Sequence, residues 1–143
     1  MSETYLPSGL PQPVPERDGL DAGFWEAARQ HRLVVQRCRS CGTFQTLPEW
    51  LCHRCHAKEL EWAEVSGRGR IYSWMRAFHA AHPALAPAVP YRAVVVELPQ
   101  AGGVRLVGNL LGPAADEVTI GAEVEPVFED HAEGFTLIQW RLP

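Results

Sequence analysis

Apolar and polar residues recur with two different periods along this chain, and the change of period divides it. Over residues 21–31, Phe24, Ala28 and His31 fall at i, i+4 and i+7, a thin stripe at helical spacing. Asp21 stands where an N-cap belongs, and Leu20 and Trp25 are spaced as a hydrophobic staple across it. So short and weakly apolar a helix does not stand alone, so it docks on its own domain or on another chain. Phe24 and Trp25 are the side chains placed for a partner contact. From residue 33 the period falls to two, with residues 33–37 reading as a strand. Residues 70–79 alternate with Tyr72, Trp74, Arg76 and Phe78 on one face, and residues 91–98 with Val94, Val96 and Leu98. Residues 104–111 return after a turn at 100–103, and residues 122–129 and 135–142 form a second hairpin around 130–134. Five short strands with one long Ala/Pro-rich interruption, residues 80–90, fit a five-stranded Greek-key barrel of the OB type.

Proline and glycine mark the divisions. Pro7, Pro11, Pro13 and Pro15 block a helix and favour an extended arm at the N-terminus. Gly67-Arg68-Gly69-Arg70 reads as a hinge. The expected organisation is a flexible Pro-rich arm (1–19), a unit holding the helix and the cysteines (20–66), and a barrel (67–143).

All four cysteines lie in Cys38-Arg39-Ser40-Cys41, ten intervening residues, and Cys52-His53-Arg54-Cys55. Two C-x-x-C knuckles present four thiols in pairs that a tetrahedral Zn²⁺ can bridge, and Gly42 follows the first where the backbone turns tightly. Such a Cys₄ site has no open position for water or substrate, so its metal is structural. A disulfide framework needs export, and the polar, proline-bearing start shows no basic n-region. A redox C-x-x-C comes singly, and haem attachment at Cys52-His53-Arg54-Cys55-His56 leaves Cys38 and Cys41 unexplained. His53 and His56 have the chemistry to replace a cysteine, but are expected as exposed side chains. Some 30 residues of ribbon bury too little apolar surface to fold alone, so the metal is expected to supply the stability.

The chain has 143 residues, 46 % of them hydrophobic, enough for one domain or two very small ones. No apolar run is long enough to span a membrane, and grouped metal-ligand cysteines suit a reducing cytoplasm. The net charge of -4 argues against a general nucleic-acid binder. A single-stranded nucleic-acid module stays as the alternative of a different class, because ribbons and OB-folds both serve there. His79, His82 and His131 are scattered, and a surface role is expected for them; Glu97 reads as a solvent-facing or structural carboxylate. No nucleophile and base stand together, so independent catalysis is not expected.

The order of motifs is specific even though no single one is diagnostic. Phe24-Trp25 precedes Gln36-Arg37-Cys38-x-x-Cys41-Gly42 and Cys52-x-x-Cys55, followed by Trp62, Ser66-Gly67-Arg68-Gly69, Ile71-Tyr72-Ser73 and Pro90-Tyr91. Val96-Glu97-Leu98, Ile120-Gly121-x-x-Val124 and Val127-Phe128-Glu129 complete it. Over about residues 20–142 the chain resembles the acyl-CoA-associated OB-fold family with a rubredoxin-like zinc ribbon, long catalogued as domain of unknown function thirty-five. Two departures stand out: His56 replaces the glycine usual after the second knuckle, and residues 98–104 are longer and richer in glycine.

The resemblance implies a mainly β protein: N-terminal helix, rubredoxin-like zinc ribbon, then a C-terminal five-stranded OB-fold barrel. It implies a small non-catalytic subunit of a thiolase-like acyl-CoA enzyme, forming a heterotetramer; aldolase, hydroxymethylglutaryl-CoA synthase and hydratase complexes are the alternatives. An acyl-CoA contact in the barrel is implied as well. The phosphates of CoA suit bidentate arginine, and Arg68, Arg70, Arg76, Arg92 and Arg105 are the candidates in or beside the barrel. Tyr72, Trp74 and Phe78 are expected to pack the barrel core rather than stack on adenine.

Overall fold

A computed structural model describes residues 14–113 and 115–143. Most of the expected N-terminal arm, including Pro7, Pro11 and Pro13, therefore lies outside the described residues. The elements run α1 (Ala22–Arg29), β1 (Leu33–Cys38), β2 (Phe44–Gln45), β3 (Leu60–Val65), β4 (Gly69–Ala77), β5 (Tyr91–Leu98), β6 (Val104–Asn109), β7 (Glu123–Asp130) and β8 (Thr136–Arg141).

The helix is shorter than its apolar stripe suggested. It ends at Arg29, and His31 adopts a left-handed φ of 57°. The N–H groups of His31 and Arg32 return to the carbonyls of Ala28 and Ala27, the paired bonds of a Schellman close. His31 therefore leaves the stripe. Its ring stacks on Phe128, and its Nε2 sits 2.9 Å from both carboxylate oxygens of Asp130, tying the end of α1 to the barrel. At the other end the Asp21 side chain makes no cap bond and instead accepts from Trp25 Nε1 at 2.8 Å. Ala27 and Ala28 are the buried helix residues, and Gly23 lies directly against the Trp62 indole, leaving no space for a Cβ.

Strands β2-β1-β3 form one antiparallel sheet and β6-β5-β4-β7-β8 the other. The second sheet closes on itself: Leu110, just past β6, makes a parallel bridge to Trp140 of β8, and the Leu111 N–H donates to the Trp140 carbonyl at 2.8 Å. This circular order, with its one parallel contact between the third and fifth strands, is the OB barrel. On β5 the alternation is complete: Arg92, Val94, Val96 and Leu98 point inward. On β4 it is not. A bulge between Ile71 and Ser73 shifts the register: Tyr72 stays outward, alternating with the buried Ile71, while Trp74 comes to the inner face. Trp74 alone of the three expected aromatics packs on the core, while Tyr72 is 47 % and Phe78 71 % exposed.

Leu33 and Val35 of β1 belong to the same buried cluster as Ile71, Val94, Val96, Leu98, Val124 and Trp140 of the barrel. Ribbon and barrel thus share one core across Gly67, whose φ is 79° and whose Cβ position is filled by Pro126 and Leu33. The glycine-rich stretch after β5 has a similar cause: Gly102 and Gly103 both take positive φ (66° and 78°) to return the chain into β6. His131, expected at the surface, turns its side chain inward. The turn after β7 folds it onto Phe135 (ring centroids 4.6 Å apart) and brings its Nε2 to 3.5 Å from the fully buried Glu129 carboxylate.

Urea unfolding tests the shared core. Trp140→Ala should cost about 3–5 kcal/mol by leaving a cavity. Gly69→Ala, where a Cβ would drive into Val96 and the Glu97 carbonyl, should cost about 1–3 kcal/mol by overpacking. Gly121→Ala has open space but a φ of 87°, so it should cost only about 1–2 kcal/mol.

Candidate metal centre

The two knuckles repeat one backbone pattern. In the first, the Gly42 N–H bonds back to the Cys38 carbonyl and Gly42 takes φ 77°. In the second, the His56 N–H bonds back to the Cys52 carbonyl and His56 takes φ 63°. The missing glycine therefore does not change the turn: histidine is held in the left-handed conformation that glycine adopts without strain.

These turns bring the Sγ atoms of Cys38, Cys41, Cys52 and Cys55 within 4.8 Å of one another. Cys38–Cys55 and Cys41–Cys52 are each 3.6 Å apart. A tetrahedron with Zn–S bonds near 2.3 Å has edges of about 3.8 Å, so the four sulfurs are grouped closely enough to hold one zinc ion. His53 and His56 are exposed and stand outside this cluster; the His53 Nδ1 lies 3.0 Å from Gln45 Oε1 instead. Cys38 and Cys52 are buried, Cys41 and Cys55 exposed, so the site has a closed inner side and a wet outer one.

The thiols are poised unequally. The Thr43 hydroxyl, 3.0 Å from its sulfur, and then the Thr43 backbone pull Cys41 down to about 6. The N–H groups of Cys55 and Arg54 lower Cys52 too, against loss of water. Cys55 is pushed up to about 11: the Ala57 N–H opposes the rise, and desolvation with the three neighbouring sulfurs outweighs it.

The arginines singled out from the sequence fall into three places. Arg68 and Arg70 border a small cavity of about 120 Å³ with Glu123 and Glu125. The Arg105 guanidinium carbon lies over the Tyr72 ring, 3.7 Å from its centroid. Arg76 and Arg92 face each other across β4 and β5, and both donate to the Asp116 carbonyl, at 3.1 and 3.3 Å. Arg92 is 2 % exposed and also bonds the Leu110 and Leu111 carbonyls. Its burial, offset in part by Asp116, lowers the pKa of its guanidinium. Phe24 and Trp25 meet edge to face, 5.0 Å between centroids, and line an apolar groove of about 160 Å³ with Val34, Pro48 and Trp62.

Comparison with known proteins matches this geometry. A family model described as "ChsH2, rubredoxin-like zinc ribbon domain" matches residues 25–61, and one described as "ChsH2, C-terminal OB-fold domain" matches residues 62–129. A Methanocaldococcus jannaschii protein named "DUF35 domain-containing scaffold protein" is 30 % identical over 114 residues, 78 % of this chain and 79 % of that one. The chain belongs to the DUF35 family.

Two further similarities bear on this DUF35 chain. A Thermomonospora curvata protein named "Probable enoyl-CoA hydratase alpha subunit" is 42 % identical over 115 residues, 80 % of this chain but only 34 % of that protein. The chain thus spans about a third of the length of that relative. A solved structure described as "Ltp2-ChsH2(DUF35) aldolase" superimposes with a TM-score of 0.78 at 37 % identity, covering 92 % of this chain and 98 % of that one. Among the described residues no helix is long and apolar enough to cross a membrane.

Residues that sequence reasoning passed over also shape the DUF35 ribbon. Gln36 and Gln45 are buried and bonded to each other at 2.6 Å. Gln36 also holds the Glu49 carbonyl and N–H, and Gln45 holds the Leu51 carbonyl and the His53 N–H. This pair pins the loop between the knuckles to the second knuckle. They stand opposite each other in the register of β1 and β2, and both side chains are buried. The pinned loop presents Leu47 (φ 59°, 81 % exposed) and Trp50 (75 % exposed) outward.

Zinc should bind with a stoichiometry of one. With Cys55 near 11, the metal-free cluster keeps protons at neutral pH, and binding expels them. Affinity measured by chelator competition should therefore rise from pH 6.5 to pH 8, with proton release visible as a buffer-dependent binding enthalpy. His56→Gly should relieve the left-handed strain and stabilise the zinc form by up to about 1 kcal/mol in thermal unfolding.

Proposed function

We propose that this chain is a small, non-catalytic subunit of an acyl-CoA-processing enzyme complex whose larger partner is thiolase-like. The observation that carries this reading is the aldolase structure: 98 % of a chain of the same extent superimposes on this one at 37 % identity. The hydratase alpha subunit from Thermomonospora curvata supports acyl-CoA chemistry in the partner. Among the partners considered, a thiolase-fold aldolase agrees best with the structural relative, with acyl-CoA thiolase and hydratase next. A cytoplasmic heterotetramer with two copies of each chain is the expected assembly.

The chain's own surface supports a docking role. A closed four-sulfur site supplies rigidity and no open coordination position. Leu47, which lines the groove of Phe24 and Trp25, and Trp50 are large apolar side chains held out in water. Such side chains, fixed on a rigid base, are what protein interfaces use as anchors. The arginines of the barrel are the groups for an acyl-CoA contact.

Affinity purification of the tagged chain from its native host tests the reading. A thiolase-like acyl-CoA enzyme should co-purify, and light scattering should give two copies of each. Trp50→Ala should weaken the association by at least about tenfold with zinc content unchanged. An isolated chain that is monomeric and turns over acyl-CoA by itself would overturn the proposal.

A further inference from the structure

At one mouth of the barrel two guanidinium groups keep a buried N–H without an acceptor, as the Trp140 indole does in the core. Arg76 and Arg92 are direct cross-strand partners, an arrangement that sets two positive charges against each other. They share a single carbonyl, that of Asp116. Among the described residues neither Nε–H has an acceptor, although both atoms are sealed from solvent. Sealed as they are, the two Nε–H groups are out of a solute's reach, so a ligand at this mouth meets Arg92 through Nη1, which spends one of its two N–H groups on Asp116.

A cavity of about 310 Å³ opens beside them, lined by Arg92, Gly112, Asp116, Val127 and Arg141. Arg141 brings a further guanidinium to its rim, with its Nε on Glu125. Gly112, at φ 111°, keeps the approach to Arg92 open: a Cβ there would stand 3.4 Å from Arg92 Nη2. Counting Arg76, Arg92 and Arg141 against Asp116 and Glu125 leaves one positive charge at the mouth, 3 − 2 = +1.

We propose that this mouth is an oxyanion site, in which Arg92 donates directly to a phosphate or phosphate-ester group, Arg141 closes the rim and Arg76 adds positive charge from behind. A tetrahedral oxyanion has enough acceptors to take N–H groups from Arg92 and Arg141 together, the two guanidinium groups that line the cavity. The site stands on this geometry alone. That its natural occupant is a phosphate of CoA rests on the acyl-CoA reading above, and free phosphate is the other source of the same chemistry.

The zinc-loaded full chain is titrated with inorganic phosphate, CoA, dephospho-CoA and pantetheine, followed by equilibrium dialysis and thermal shift. Phosphate should bind saturably and raise the melting temperature. Arg76→Gln and Arg141→Gln should each weaken phosphate at least about tenfold, while Arg29→Gln, on α1, leaves it unchanged. CoA binding more tightly than phosphate, with dephospho-CoA falling back, identifies the 3′-phosphate as the carrier. Phosphate binding that is saturable and arginine-dependent, with CoA no tighter, upholds the oxyanion site and removes its support for the acyl-CoA reading. No saturable phosphate binding, or binding untouched by both arginine variants, means that the arginines only pin the connection after β6, and the proposal fails.

Discussion

Leu33 and Val35 decide how this molecule holds together. They sit on the first strand of the ribbon, yet they are buried with Ile71, Val96 and Trp140 of the barrel. A ribbon of this size cannot bury enough apolar surface to fold alone, and a barrel of five short strands has little to spare. Joining them into one core meets both needs. The close approach at Gly67, against Pro126 and Leu33, follows from it, because any Cβ there would hold the two sheets apart. The His31–Asp130 contact adds a polar tie on the outside of the same seam.

With β1 held by packing, the metal has a narrower task than the size of the ribbon suggests. What the four sulfurs order is the pair of knuckles and the loop between them, the part with few core contacts of its own. Beneath the loop, Gln36 of β1 and Gln45 of β2 satisfy each other and four backbone groups, so a polar pair takes the place of a small core. Thr46 bonds to the Arg105 carbonyl at 3.1 Å and fixes the loop to the barrel. The left-handed backbone at Leu47 persists because these contacts on either side over-determine it. The outcome is a hydrophobic face presented to solvent without freedom to collapse, which fits a subunit built to dock.

Sequence reading succeeded where the cause of a feature is local. The inward set of β5 was visible in the alternation of Val94, Val96 and Leu98, and the four ligands in their spacing. It failed where one residue's fate depends on a distant neighbour. Alternation assigned Tyr72 and Phe78 to a common inner face with Trp74, but the bulge after Ile71 brings Trp74 inside and leaves Tyr72 outside, and nothing in the residue types announces a one-residue slip. His131 looked like a surface residue of a turn, and only the fold brings Phe135 and Glu129 around it. Arg92 reads on paper as one solvated arginine among five, although its parity with Val94, Val96 and Leu98 already places it on the inner face; which carbonyls receive a buried guanidinium is the part only the fold supplies.

The sequence by itself determined the metal-binding chemistry and the order of elements. Both follow from residue type and short spacing: two C-x-x-C pairs can make few other things, and a period of two cannot be laid down as a helix. Only the tertiary structure decided which charges are buried, which aromatics face water, and that ribbon and barrel are one body. Those properties come from contacts between residues far apart in the chain, whose geometry depends on sheet register and closure, and register is set by the whole packed core rather than by any segment of it.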